Sequence, residues 1–106
     1  MTGALIVCPD ERSVRSCERP GAKREMNALL GSIAVRIHTF PNGDLVYAAR
    51  QPATNSAFRI GKSSPIRGKA IVIGRPTDFG FYTSTNYSEA TVLSLVEFVD
   101  DSAGSI

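Results

Sequence analysis

The chain has 106 residues, with 12 basic and 10 acidic side chains for a formal net charge of +2, and is 42% apolar and 21% charged. That length supports one domain burying roughly 60–70% of its unfolded surface, enough for a core without disulfide or metal support. The composition excludes a largely disordered chain, the net charge is too small to point to any partner, and no apolar run reaches the roughly 18–20 residues that span a bilayer.

Met1 to Cys8 carries no basic leader, and its apolar stretch stops at Pro9-Asp10-Glu11-Arg12. This does not fit a signal peptide, and a cytoplasmic location is expected. Ala4–Cys8 reads as a strand, the Pro9–Arg12 segment as a turn, and Ser13–Glu18 as a returning edge strand. Arg19-Pro20-Gly21 breaks the chain. Ala22–Leu30 then spaces Met26, Leu29 and Leu30 as one helical face, and Gly31 follows where a left-handed terminus wants glycine.

Ile33–Thr39 alternates with period two, which places Ile33, Val35 and Ile37 on an apolar face and Ala34, Arg36 and His38 on the solvent side. Pro41-Asn42-Gly43-Asp44 predicts a hairpin turn because Asn and Gly both tolerate positive φ, and Leu45–Ala49 returns. Gln51–Ser64 is irregular, with Phe58 and Ile60 in a brief extended piece anchored to the core. Arg67–Gly74 is a β-branched run bounded by glycines and reads as the buried central strand. Phe81–Ser84 can pair back as a further strand. Ser88–Asp100 shows helical spacing, with Ser88 or Asn86 as N-cap, although its β-branched content keeps a strand reading open. Ser102–Ile106 should be a loose tail of the single domain 1–106.

The expected fold class is therefore α+β: an antiparallel or mixed β-sheet built from hairpins, with two short helices packed on one face. Within it, Cys8 and Cys17 can face each other or lie one register apart across the first hairpin. A reducing compartment and the burial preference of free cysteine favour two packed thiols over a bridge. Their spacing with His38 matches no zinc site, and neither a metal nor a cofactor is expected.

Residues Leu5-Ile6-Val7, Met26 to Ile33, Asn42-Gly43, Asn55 and Ile66 to Ile73 together resemble an uncharacterised small domain family found mainly in phage and plasmid genomes. The match covers most of residues 4–98 and rests on apolar and glycine positions. The first turn and segment 50–64 depart from the family's pattern. The resemblance implies a small accessory protein of a mobile element with no agreed catalytic residues.

Chemistry-bearing motifs are few. Gly61-Lys62-Ser63 looks like the end of a phosphate-binding loop, but Ser56 occupies the place of the first glycine and Pro65 intervenes before a strand. His38 falls on a solvent-facing strand position without a nucleophile and carboxylate beside it in sequence. The paired carboxylates Asp10-Glu11 and Asp100-Asp101 fall in a turn and at a chain end, where charge is usually solvated.

Electrostatics is the more specific feature. Leu45 to Thr77 contains six basic residues and no acidic one, whereas Asp78 to Ile106 contains five acidic residues and no basic one. Arg50, Arg59, Lys62, Arg67, Lys69 and Arg75 are thus the candidate anion- or nucleic-acid-binding set, with Arg67 and Lys69 sharing one strand face. The alternative is internal neutralisation by the acidic C-terminal segment. Asn55 and Tyr82, with Lys62 and Arg67 nearby, are candidates for a small-ligand pocket. The expected function is non-enzymatic binding of a macromolecule, a host protein or a nucleic acid. The runners-up are direct nucleic-acid binding through 50–75 and sequestration of a nucleotide-like ligand.

Overall fold

The computed structural model describes residues 3–52, 55–62, 64–77 and 82–100. In chain order these form β1 (Ala4–Cys8), β2 (Ser13–Cys17), α1 (Lys23–Leu30), β3 (Ala34–Thr39), β4 (Leu45–Ala49), β5 (Ser56–Ile60), β6 (Ile66–Arg67), β7 (Ala70–Ile73), α2 (Glu89–Leu95) and β8 (Val96–Asp100). Two antiparallel sheets result, one of five strands in the order β2-β1-β7-β4-β3 and one of three in the order β6-β5-β8. The α+β class read from the sequence holds. The expected tail 102–106 and Phe81 lie outside the described residues.

β7 is the middle strand, paired with β1 on one side and β4 on the other, and all four of its side chains are buried. Burial on both faces is why Ala-Ile-Val-Ile shows no polar alternation. The expected strand 67–74 is nevertheless split. Gly68 has φ +80 and donates its N–H to the Ser56 carbonyl at 3.0 Å, so Arg67 closes the small sheet while Lys69 leads into the large one. Arg67 and Lys69 therefore do not share a strand face. A side chain at Gly68 would resist this left-handed conformation, which glycine adopts at little cost.

Alternation along β1 and β7 separates two cores. Leu5, Val7, Ala70 and Val72 face Phe58, Ile60 and Val92, with Ile66, Val96 and Phe98 at the margin. Ala4, Ile71 and Ile73 face Met26, with Leu30, Tyr47 and Tyr82 packed alongside. The large sheet thus lies between α1 and the layer made by the small sheet and α2. The two helices sit on opposite faces rather than together, because the small sheet and α2 share the face away from α1.

Segment 88–100 uses both of its sequence signals in turn. Ser88 caps α2, its hydroxyl accepting the Thr91 N–H at 3.1 Å, and at Val96 the backbone turns extended (φ −109, ψ 151) to start β8. Ser88 is thus the N-cap, and the β-branched residues after Leu95 take the strand. Within 82–87, Gly74 donates to the Thr83 carbonyl at 2.9 Å and the Thr85 N–H donates to the Gly3 carbonyl at 3.1 Å. These contacts close one end of the large sheet without adding a strand. A Cβ at Gly74 would collide with the Thr83 hydroxyl and the Ser84 carbonyl, so glycine is required by proximity.

The β3–β4 turn also differs in detail from expectation. Gly43 takes φ +95 but Asn42 does not take positive φ. Instead the Asn42 side chain accepts the Asp44 N–H at 2.9 Å, and Phe40 donates to the Asp44 carbonyl at 2.8 Å. Asn42 acts through its side chain, as an Asx turn does.

Candidate functional site

The six expected cations are divided by the fold. The β4–β7 register, with Ala48 opposite Ala70, brings Arg50 and Lys69 to the same end of the large sheet. Arg67 ends β6 in the small sheet, two residues before Lys69 and on the other side of the Gly68 break. Arg75 is at the other end of β7, its guanidinium packed over the Gly43 turn. Arg59 lies on β5 opposite Glu97 of β8, and the two side chains approach to 3.5 Å. With 38% and 69% of these side chains exposed, the pair stabilises little but neutralises Arg59 locally. Lys62 is exposed in the turn after β5. A single basic strip is therefore not formed, and the acidic C-terminal segment meets the set at Arg59. Ser63, the last residue of the loop-like motif, lies outside the described residues.

Asn55 and Tyr82 are not brought together. Asn55 is exposed before β5, whereas Tyr82 packs edge-on to Tyr47 (ring centroids 5.9 Å) on the face covered by α1. Burial there pushes the Tyr82 phenol up. Neither residue lines the clefts beside Gly31.

The cysteines also part. Cys17 pairs in register with Ala4 and Cys8 with Ser13, so they stand at opposite ends of the hairpin, about 13 Å apart along β1. Both are free thiols, Cys8 buried and Cys17 half-buried, which rules out the cross-strand bridge. Burial pushes the Cys17 thiol up. Alkylation of Cys17 at pH 8, followed at peptide level, should therefore be slower than that of free cysteine, with its rate midpoint above the usual value of about 8.5. A midpoint at or below that value would contradict the packing described.

β3 departs most from its sequence reading. Ile33, Val35 and Ile37 are 51%, 39% and 39% exposed, while Ala34 is buried against α1. The inversion has a geometric cause. Asn27 of α1 accepts the Ala34 N–H at 2.7 Å, which holds the helix so close to the strand that only a small side chain fits between them. The register then shifts between Arg36 and His38, so that His38 lies opposite Val46 and its ring packs edge-on to Phe40 at 5.1 Å. Such a bulge re-aims the side chains around it. His38 is half-buried rather than solvent-facing.

The edges of the large sheet are treated unequally. At β2 the outward Ser16 N–H donates to Glu89 at 2.7 Å, and α2 packs along the strand. At β3 the outward Ala34 N–H is occupied by Asn27. The Arg50 N–H donates to the Ile33 carbonyl at 2.8 Å and the Phe40 N–H to the Asp44 carbonyl at 2.8 Å, which fixes the phase of the ladder at both ends. Antiparallel alternation then turns the backbone groups of Arg36 and Thr39 away from β4. On the side away from β4, no described strand pairs with β3, and Asn27 is the side chain that meets it there.

A cleft of about 390 Å³ adjoins the start of this edge, lined by Gly31, Ser32, Ile33, Arg50 and Gln51. A second, of about 270 Å³, shares Gly31 and includes Leu29, Leu30, Lys69 and Asp10. The exposed apolar residues of β3 thus run into a surface carrying Arg50 and Lys69. Between Met26 and Thr77 the only acidic residue is Asp44. It is 2% exposed, and its carboxylate accepts the Thr85 hydroxyl at 2.6 Å and the Asn86 N–H at 2.9 Å. Sequence reasoning missed Asn27, Glu89 and Asp44 because single hydrogen bonds to distant backbone leave no periodic signal.

Among the described residues no group of His, Cys, Asp and Glu could hold a metal ion, and no helix is long and apolar enough to cross a membrane. No family model matches the chain, nor does any curated protein or solved structure.

Proposed function

We propose that this chain is a non-catalytic binding protein that engages a macromolecular partner, in the first place a protein, through the β3 edge. The observation carrying this reading is the exposure of Ile33, Val35 and Ile37 on an edge strand whose counterpart across the sheet is closed by Glu89. Exposed apolar side chains on an uncovered edge invite association, and folded proteins usually blunt such an edge. A cytoplasmic accessory role in a mobile element, as the family resemblance implies, belongs to the same proposal.

The test uses the tagged full chain and its Val35→Lys variant as baits in a nuclease-treated host lysate. The expected result is a defined protein complex that survives nuclease and is lost with Val35→Lys, an exposed change whose unchanged thermal melting is the check on the fold. A complex that the variant retains, or that nuclease removes, overturns the reading. Direct nucleic-acid binding has the placement of Arg50 and Lys69 at one end of the large sheet in its favour. The separation of Arg59 and Arg75 from that group weakens it.

A further inference from the structure

Resting on that reading, we infer that the segment received by β3 is an extended peptide alternating acidic and apolar side chains, added as a sixth strand over Arg36–Thr39. Three observations select this chemistry.

The first is the pattern of backbone groups. Asn27 and Glu89 each satisfy one outward N–H at opposite edges of the large sheet. At β2 the plug sits at Ser16, the fourth of five residues, and α2 lies alongside. At β3 it sits at Ala34, the first residue of the strand, leaving beyond it the outward groups of Arg36 and Thr39, three residues apart across the bulge at Ile37. An incoming strand gains main-chain hydrogen bonds there, and affinity in strand addition comes largely from such bonds, with alternate side chains supplying specificity.

The second is the side chains flanking those groups. Val35 and Ile37 are exposed on either side of Arg36, so a partner strand meets apolar surface next to a guanidinium. A nucleic-acid backbone has no use for the two apolar side chains, whereas an alternating peptide meets both.

The third is charge. Arg50 stands at the start of the β3–β4 ladder, Arg36 in its middle and Arg75 at its turn, and the one carboxylate in this stretch of chain is withdrawn into bonds with Thr85 and Asn86. Carboxylates on the incoming strand supply the missing sign. A second copy of the chain is less suited: antiparallel self-pairing centred on Arg36 sets two guanidinium groups opposite each other, and like charges directly opposite are destabilising.

The test is fluorescence anisotropy of a labelled peptide of alternating Glu and Val against the full chain, with alternating Lys-Val, alternating Glu-Ser and a single-stranded oligonucleotide as competing probes. The Glu-Val probe should bind at least about tenfold more tightly than either other peptide, a difference near 1.4 kcal/mol. Arg36→Glu should weaken it by at least about tenfold, and the charge-neutral Arg36→Gln by less. Arg36 is exposed, and unchanged thermal melting of each variant confirms the fold. Equal binding of Lys-Val overturns the acidic specificity, and equal binding of Glu-Ser overturns the role of the apolar pair. Oligonucleotide binding that collapses between roughly 50 and 200 mM salt, with no peptide bound, replaces the inference by a phosphate ligand. A dimer in size-exclusion chromatography that Val35→Lys dissociates replaces it by a second copy. If the lysate complex depends on Val35 but the Glu-Val probe does not bind, the β3 surface stands and the strand chemistry proposed for its partner fails. Loss of dependence on Val35 in the lysate fails the earlier reading itself.

Discussion

Replacing Phe58 by alanine is expected to cost about 3–5 kcal/mol, the range for removing a fully buried aromatic side chain. Phe58 is 0% exposed and is the largest of the fully buried side chains. It stands in the central strand of the small sheet, in register with Ile66 of β6 and Phe98 of β8, and packs into the same core as Leu5, Val72 and Val92. Its ring is therefore the largest fully buried side chain that the small sheet sets against the large one, beside Ile60. A domain of this size has a total stability of about 5–15 kcal/mol, so the truncation removes a large share of it. Phe58→Leu keeps most of the volume and should cost less than about 1.5 kcal/mol. Urea denaturation of the three proteins measures both differences. A loss below about 2 kcal/mol for the alanine variant would mean that the two layers are held together elsewhere.

Asp44→Ala is expected to destabilise by about 3 kcal/mol, because two hydrogen bonds to a buried charged acceptor are lost and each contributes about 1.5–3 kcal/mol, not fully additively. The Asp44 carboxylate joins the β3–β4 turn to Thr85 and Asn86, more than forty positions away along the chain. Next to it, Phe40 and Tyr87 pack edge-to-face at 5.0 Å, so the same truncation loosens an aromatic contact on the core. Asp44→Asn retains an oxygen acceptor and should lose about half as much. The amide of Asn86 should exchange with solvent markedly faster in Asp44→Ala than in the parent. Unchanged exchange at Asn86 would show that 82–87 is held without the carboxylate.

What the sequence reveals about this molecule follows from how local each signal is. The run Ala70–Ile73 is legible as the central strand because a strand buried on both faces must be apolar throughout. Gly31 is legible as the end of α1, and takes φ +74 as that role requires. The face of β3 is illegible for a definite reason. Alternation identifies two faces but not which is covered, and the bulkier residues lie outside because α1 approaches closely over Ala34. The end of α1 is misread in the same way: Leu29, expected on the apolar face with Met26, is 41% exposed, since the helix meets the sheet mainly through Met26. Segment 88–100 carried helical spacing and β-branched content at once, and the chain resolves the conflict by changing structure at Val96. The basic set was visible as residues but not as a surface, since its distribution depends on the break at Gly68 and on the pairing of β5 with β8.

The site itself was legible only in part. Arg50 and Lys69 were named, and the fold places them beside the clefts near Gly31. The residues that define the edge were missed, as they matter through backbone groups. Whether a backbone N–H is taken depends on which strand ends up at the edge, and this is a property of the assembled sheet.

The most direct measurement of that edge is residue-resolved amide hydrogen exchange on the free chain and after addition of the alternating Glu-Val peptide. Slow exchange is expected at Ser16 and Ala34, which donate their N–H groups to Glu89 and Asn27, and fast exchange at Arg36 and Thr39 in the free chain, becoming slow with peptide bound. Arg36 and Thr39 amides that are already protected in the free chain would contradict it, because the edge proposed to receive a partner would then be closed.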